Sequence, residues 1–237
     1  MTGAGDRDRW GEIEGVEITF PIVVEEMNSA TLTFTVPSAA ARRFVPEAFE
    51  VLEVGPGAAM LIVALCDYLR NPWGDYVEVN LGLLVHPAGR PDEAGAYQWR
   101  MPVDQEFTCT AGNRVLGLPK SVEDLTVTYT DDAVTFLLRE AGEPSLTVTL
   151  PRVPPVGDPV RETTITYSVL DGVPTAVPLT IDLPTGTVDP AAVRLDLGAG
   201  VVADELRSLG LPAAADLAAW GEGLGGSFSR PRPVPAP

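Results

Sequence analysis

Hydrophobic and polar positions alternate along this chain in short runs with a period of two, the pattern of half-buried β-strands. In residues 29–36, Thr31, Thr33 and Thr35 face one way and Leu32, Phe34 and Val36 the other. The clearest run is Tyr76–Val85, with Val77, Val79, Leu81, Leu83 and Val85 on one face and Tyr76, Glu78, Asn80 and Gly82 on the reverse. Met60–Cys66 is continuously apolar and predicts a strand buried on both faces. Further strands are expected over 96–103, 105–110, 124–130, 133–138, 145–151 and 162–169, with a hairpin turn at Asp131-Asp132.

Helical signals are few. Ser38 precedes Ala39-Ala40-Ala41-Arg42-Arg43 as the N-cap of a short helix. Asp204–Leu209, stopped by Gly210 and Pro212, is a second helix, and Ala213–Trp220 a third. With 23 glycines and 23 prolines punctuating it, the chain reads as mainly β with many turns. Residues 1–11 are expected to be a flexible tail and 12–228 a single domain. The proline-rich residues 229–237 are expected to be disordered or polyproline-like.

Composition narrows the function. The 237 residues are 45% hydrophobic, enough for a substantial core, yet carry a net charge of −17. Such a surface repels phosphate backbones and anionic lipid, so neither nucleic acid nor membrane is an expected partner. No run of 18 apolar residues exists to form a spanning helix, and Met1–Gly11 lacks the apolar centre of a signal peptide, so a cytoplasmic location is expected. Cys66 and Cys109 are expected to be free. With His86 the sole histidine, no zinc spacing can be written and no metal is expected. A serine or cysteine nucleophile would have to use His86, and no nucleophile-elbow pattern accompanies it.

One residue stands out against this background. Of the 16 basic residues, Lys120 is the only lysine, and it follows Gly117-Leu118-Pro119. Arginine serves as well as lysine at a surface but cannot lose its proton at useful pH, so Lys120 alone can be an amine nucleophile. The amine is the group that forms a Schiff base with a carbonyl and makes it an electron sink. A free lysine has a pKa near 10.4, so about one in 2,500 is neutral at pH 7. Lowering it to about 7 would raise that fraction roughly a thousandfold, for about 4–5 kcal/mol. Val115, Leu116, Leu118 and Pro119 are the neighbours that could desolvate it.

Asp75-Tyr76-Val77-Glu78-Val79 and Gly112-Asn113-Arg114-Val115-Leu116-Gly117-Leu118-Pro119-Lys120 together resemble the acetoacetate decarboxylase family. There a Tyr-x-Glu is followed some forty residues later by a Pro-Lys. Asp104-Gln105-Glu106, Phe44-Val45-Pro46 and Val193-Arg194-Leu195 extend the likeness over most of the chain. Acetoacetate decarboxylase is itself the standard instance of an activated Schiff-base lysine. The resemblance implies a mainly β, closed or cone-like antiparallel barrel with a few peripheral helices. It also implies a cofactor-free lyase acting on a small carbonyl substrate, and a homo-oligomer. Lys120 would be the amine and Glu78 the acid/base, with Tyr76 beside the substrate. Three departures matter. Ser121 stands where many members have a second lysine, leaving Arg114 as the nearby cation. Met27 stands at the position of an arginine that helps bind the substrate carboxylate, and Leu61 at that of a second glutamate. Arg70, Arg100 and Arg114 are then the candidates to hold a carboxylate. A greasier pocket implies a substrate other than acetoacetate. The chemistry is β-keto acid decarboxylation, with an aldolase-dehydratase or cyclase step in secondary metabolism, or a non-catalytic barrel holding an apolar ligand, as alternatives.

Overall fold

The computed structural model describes residues 8–157 and 160–235. The chain opens with a hairpin of β1 (Asp8–Ile13) and β2 (Val16–Phe20). The long β3 (Ile22–Pro37) leads to a single turn of helix, α1 (Ser38–Ala41), two short strands β4 (Phe49–Val51) and β5 (Glu53–Gly55), then β6 (Ala58–Arg70), β7 (Tyr76–Pro87) and β8 (Gly95–Val103). After α2 (Glu106–Ala111) come β9 (Lys120–Val122), β10 (Asp124–Tyr129), β11 (Ala133–Glu140) and β12 (Glu143–Pro151). The remainder is β13 (Val160–Leu170), β14 (Val173–Leu183), β15 (Gly186–Val188), β16 (Arg194–Leu197), α3 (Val201–Ser208), β17 (Leu217–Phe228) and β18 (Arg232–Pro233).

Seven strands close on themselves in the order β17-β3-β6-β7-β8-β13-β14, with β14 pairing back onto β17. Every junction is antiparallel except β8–β13, which is parallel. The barrel expected for the chain is therefore present, with one parallel seam. A second sheet, β10-β11-β12-β16, packs on the outside.

Alternation explains both faces of the wall. On β3, Leu32, Phe34 and Val36 are buried in the main core with Leu61, Val63 and Leu65 of β6, Leu81 and Leu83 of β7, and Phe136 and Val148 of the second sheet. The reverse face of β3, with Ser29 and Thr31, borders an internal cavity. Phe136 is 1% exposed between the two layers. Phe136→Ala should therefore lower stability by about 3–5 kcal/mol, read as a shift in urea midpoint. A loss below about 1 kcal/mol would mean the second sheet contributes little to the barrel.

Several expectations are corrected. Residues 105–110 are helix, not strand: Gln105 caps α2 by accepting from the Thr108 N–H at 2.8 Å and donates to Trp73 O at 2.8 Å, a tertiary bond no local pattern reveals. Residues 213–220 are not a helix; Leu217–Trp220 begin the strand that closes the barrel, and pairing with β3 overrides their alanine content. Met60–Cys66 is not equally buried on both faces, because its even positions up to Ala64 face the partly open cavity side. Ser38 does not cap α1; its hydroxyl donates to Glu53 at 2.7 Å. Strand structure also enters both expected tails. β1 begins at Asp8, β18 pairs with β14, and Arg230 forms an ion pair with Asp8; residues 1–7 and 236–237 lie outside the described residues. No described helix is long and apolar enough to cross a membrane.

Candidate active site

Lys120 is placed by a local break in helical geometry. α2 widens into a π-helical turn over Gly112–Leu116, and Gly117 ends it with φ 65°. Such π turns often sit at functional sites. Asn113 then clamps the lysine backbone, accepting from Lys120 N at 2.8 Å and donating to Lys120 O at 3.0 Å. β9 runs parallel to β8, with Lys120 opposite Met101, while Glu78 of β7 lies opposite Val103 on the other side of β8. The two side chains thus converge from strands flanking β8.

Lys120 Nζ lies 2.5 Å from Glu78 Oε2, with side-chain exposures of 3% and 2%. The contact is a buried ion pair, and among the described residues Oε2 has no further hydrogen-bond partner. Nζ donates to Thr108 Oγ1 at 3.2 Å and stands 4.9 Å from the centre of the Tyr76 ring. Tyr76 stacks on Tyr68 at 4.3 Å, and the Tyr68 hydroxyl donates to Glu78 Oε1 at 3.4 Å. Burial pulls the Lys120 amine down, but the Glu78 carboxylate and Tyr76 beside it hold the ammonium above its ordinary 10.5. Val115, Leu116 and Leu118 are buried around it as expected, and Pro119 is exposed. The resting site thus shows no depression toward neutrality: burial is the largest single influence, but Glu78 and Tyr76 together outweigh it. Burial also raises the Tyr76 hydroxyl and the Cys66 thiol to about 12, keeping both protonated.

A cavity of about 130 Å³ adjoins the pair, lined from all seven barrel strands and many times larger than the ~10–15 Å³ one water needs. Glu78 borders it and Lys120 does not, so an entering molecule meets the carboxylate first. The lysine stem fits because residue 112 is glycine: a Cβ there would lie 2.7 Å from Lys120 Cδ and 2.8 Å from Cε. Gly112→Ala should leave the fold intact by circular dichroism but displace the amine and cut turnover by about 10²-fold. Unchanged turnover would show that the stem has room to spare.

The other sequence candidates distribute unevenly. Tyr76 packs against the ion pair and does not border the cavity. Met27 is 2% exposed in the apolar cluster with Tyr68, Tyr76 and Leu224, behind the cavity wall. Leu61 is displaced altogether: it pairs with Leu83 on the core face, and the residue opposite Glu78 is Cys66. None of the three candidate arginines borders the cavity. Arg114 is exposed on the π turn, Arg70 pairs with Glu25 and Glu26 at the surface, and Arg100 pairs with Glu205. Arg114 thus adds no cation beside Lys120. Tyr68, Cys66, Thr108 and Asn113 were not singled out by the sequence. Only Asn113, seven residues before Lys120, lies in a motif that could have drawn attention to it. Both cysteines are free, and no group of three or more His, Cys, Asp or Glu among the described residues is placed to hold a metal.

Solved structures share this architecture. The acetoacetate decarboxylase of Legionella pneumophila subsp. pneumophila str. Philadelphia 1 superposes with a TM-score of 0.69 at 14% identity, covering 91% of this chain and 87% of its own. An acetoacetate decarboxylase-like enzyme from Sphingomonas wittichii RW1 gives 0.62 at 15% identity, covering 96% and 99%. The enduracididine biosynthesis enzyme MppR complexed with pyruvate gives 0.57 at 16%, covering 91% of both chains. No curated protein sequence matches this chain significantly. The family model described as acetoacetate decarboxylase (ADC) matches residues 14–220, and with that span covering most of its length the chain belongs to the acetoacetate decarboxylase family.

Proposed function

We propose that this protein is a Schiff-base lyase in which Lys120 condenses with the ketone of a β-keto acid other than acetoacetate and Glu78 moves the protons. The buried Lys120–Glu78 pair, whose carboxylate borders the cavity, carries this reading. Separating two charges from water without a task is costly, and a barrel that merely held an apolar ligand would be as stable with a hydrophobic pair there.

In the first step Glu78 takes a proton from the Lys120 ammonium, a transfer over 2.5 Å that leaves two neutral groups in a dry site. The amine adds to the ketone carbon, and the carbinolamine loses water, with Glu78 returning its proton to the departing oxygen, to give an iminium. The bond from the α-carbon to the carboxylate then breaks. Carbon dioxide leaves, and the bonding pair becomes an enamine. Protonation of the enamine carbon and hydrolysis of the resulting iminium release the ketone and the amine. The apolar wall formed by Ala64, Met101, Leu118 and Ile181 favours loss of the charged carboxylate as neutral carbon dioxide.

A second reading uses the same iminium for an aldol or dehydration step. It is favoured by the lack of any lysine or arginine bordering the cavity among the described residues, since neutral carbonyl compounds fit there without a counter-charge. The MppR structure, complexed with pyruvate, shows that a protein of this fold takes an α-keto acid. Borohydride trapping with β-keto acids and methyl ketones, read by peptide mass, tests the shared step. A ketone-dependent adduct on the Lys120 peptide supports it; the absence of any adduct across the panel overturns it. Carbon dioxide release then separates decarboxylation from the aldol reading.

A further inference from the structure

Away from the ion pair the cavity wall is mostly apolar, with a few uncharged polar side chains set into it. The inward positions of β7 are Glu78, Asn80 and Gly82, spaced about 6–7 Å apart along the strand. Gly82 leaves its place to the cross-strand Gln98: a Cβ on Gly82 would lie 2.7 Å from Gln98 Oε1 and 2.8 Å from Nε2. Among the described residues the Gln98 carboxamide makes no hydrogen bond, and its Oε1 is fully buried at the cavity wall. Asn80 is almost as poorly supplied, its amide meeting only Cys66 Sγ at 3.8 Å. Buried polar atoms are ordinarily satisfied, so the unpartnered Gln98 Oε1, beside an Asn80 amide held only by a thiol, points to a ligand that supplies a partner. Among the described residues no lysine or arginine borders the cavity to meet an anionic group, and Asp182, the charged side chain bordering it besides Glu78, is already paired with Arg161.

We infer that Asn80 and Gln98 form a distal subsite for substrates whose far end carries an uncharged hydrogen-bonding group, a hydroxyl or carboxamide, roughly 6–13 Å from the reacting carbonyl. The inference rests on the Lys120–Glu78 reading for which end holds the ketone. It extends that reading from a small keto acid to a longer, polar-ended one.

The test is borohydride trapping with methyl ketones of one chain length ending in methyl, hydroxyl, carboxamide or carboxylate. The hydroxyl and carboxamide compounds should reach half-labelling at concentrations about tenfold below the methyl compound, and the carboxylate should label worst. Gln98→Leu should erase that preference while labelling by the methyl compound persists, which also shows the variant is folded. Equal labelling by hydroxyl and methyl ends, a preference for carboxylate, or a preference unchanged in Gln98→Leu would overturn the subsite. If no ketone labels the protein, the Schiff-base reading fails instead. Equilibrium binding of the same compounds by calorimetry then decides the subsite on its own, hydroxyl over methyl supporting it and no difference overturning it.

Discussion

Lys120→Arg should abolish ketone-dependent borohydride labelling and all carbon dioxide release, with the fold retained. Arginine keeps a cation against Glu78, so the buried carboxylate is not left alone, but the guanidinium does not give up its proton and cannot add to a carbonyl. The choice of variant matters. Lys120→Ala removes one partner of a pair that is 2–3% exposed, and breaking such a pair costs about 3–5 kcal/mol, so lost activity there would be confounded with lost stability. The lysine is also the only one in the chain, so labelling competes with nothing but the N-terminal amine. Carbon dioxide release retained in Lys120→Arg would exclude an amine mechanism, whatever the fold.

Glu78→Gln should lower turnover by about 10²–10⁴-fold, as expected for loss of a general acid–base, and should reverse the electrostatics of Lys120. In the native site the carboxylate holds the ammonium above 10.5 against burial; without it, burial remains and the lysine falls below that value. The two forms then differ in sign against pH. Native Lys120 contributes stability that is fully present below its unfolded pKa of 10.5 and lost as pH rises through the higher folded value. In Glu78→Gln the folded protein binds fewer protons than the unfolded one between the lowered pKa and 10.5, so stability should climb with pH across that window. Urea midpoints of both proteins from pH 6 to 10 test this. A flat or falling profile for Glu78→Gln would show that something other than Glu78 sustains the ammonium.

The contrast between Lys120 and Arg114 shows where reading from sequence stopped. Lys120 was legible because chemistry demands an amine and composition had removed every other one. Arg114 was proposed as its neighbour on proximity along the chain. The π-helical turn, however, points residues 113 and 114 outward and buries 112, 115 and 116, so the arginine is exposed and Gly112 touches the lysine. Leu61 was missed differently. It lies on a correctly read strand, but strand faces alternate, and Leu61 falls on the core face while Cys66 occupies the place opposite Glu78.

The sequence by itself determined most of the strand pattern, through its period of two, and Lys120 as the lone side-chain amine, while the likeness to the acetoacetate decarboxylase family brought in Glu78 as its partner. Tertiary structure alone decided the rest. It made Gln105 a helix cap and Leu217–Trp220 a closing strand. It kept Arg70, Arg100 and Arg114 out of the cavity and held Lys120 as an ammonium beside Glu78. Those outcomes depend on which residues distant in sequence meet across the barrel, and on the charge and burial they impose on each other at ångström range.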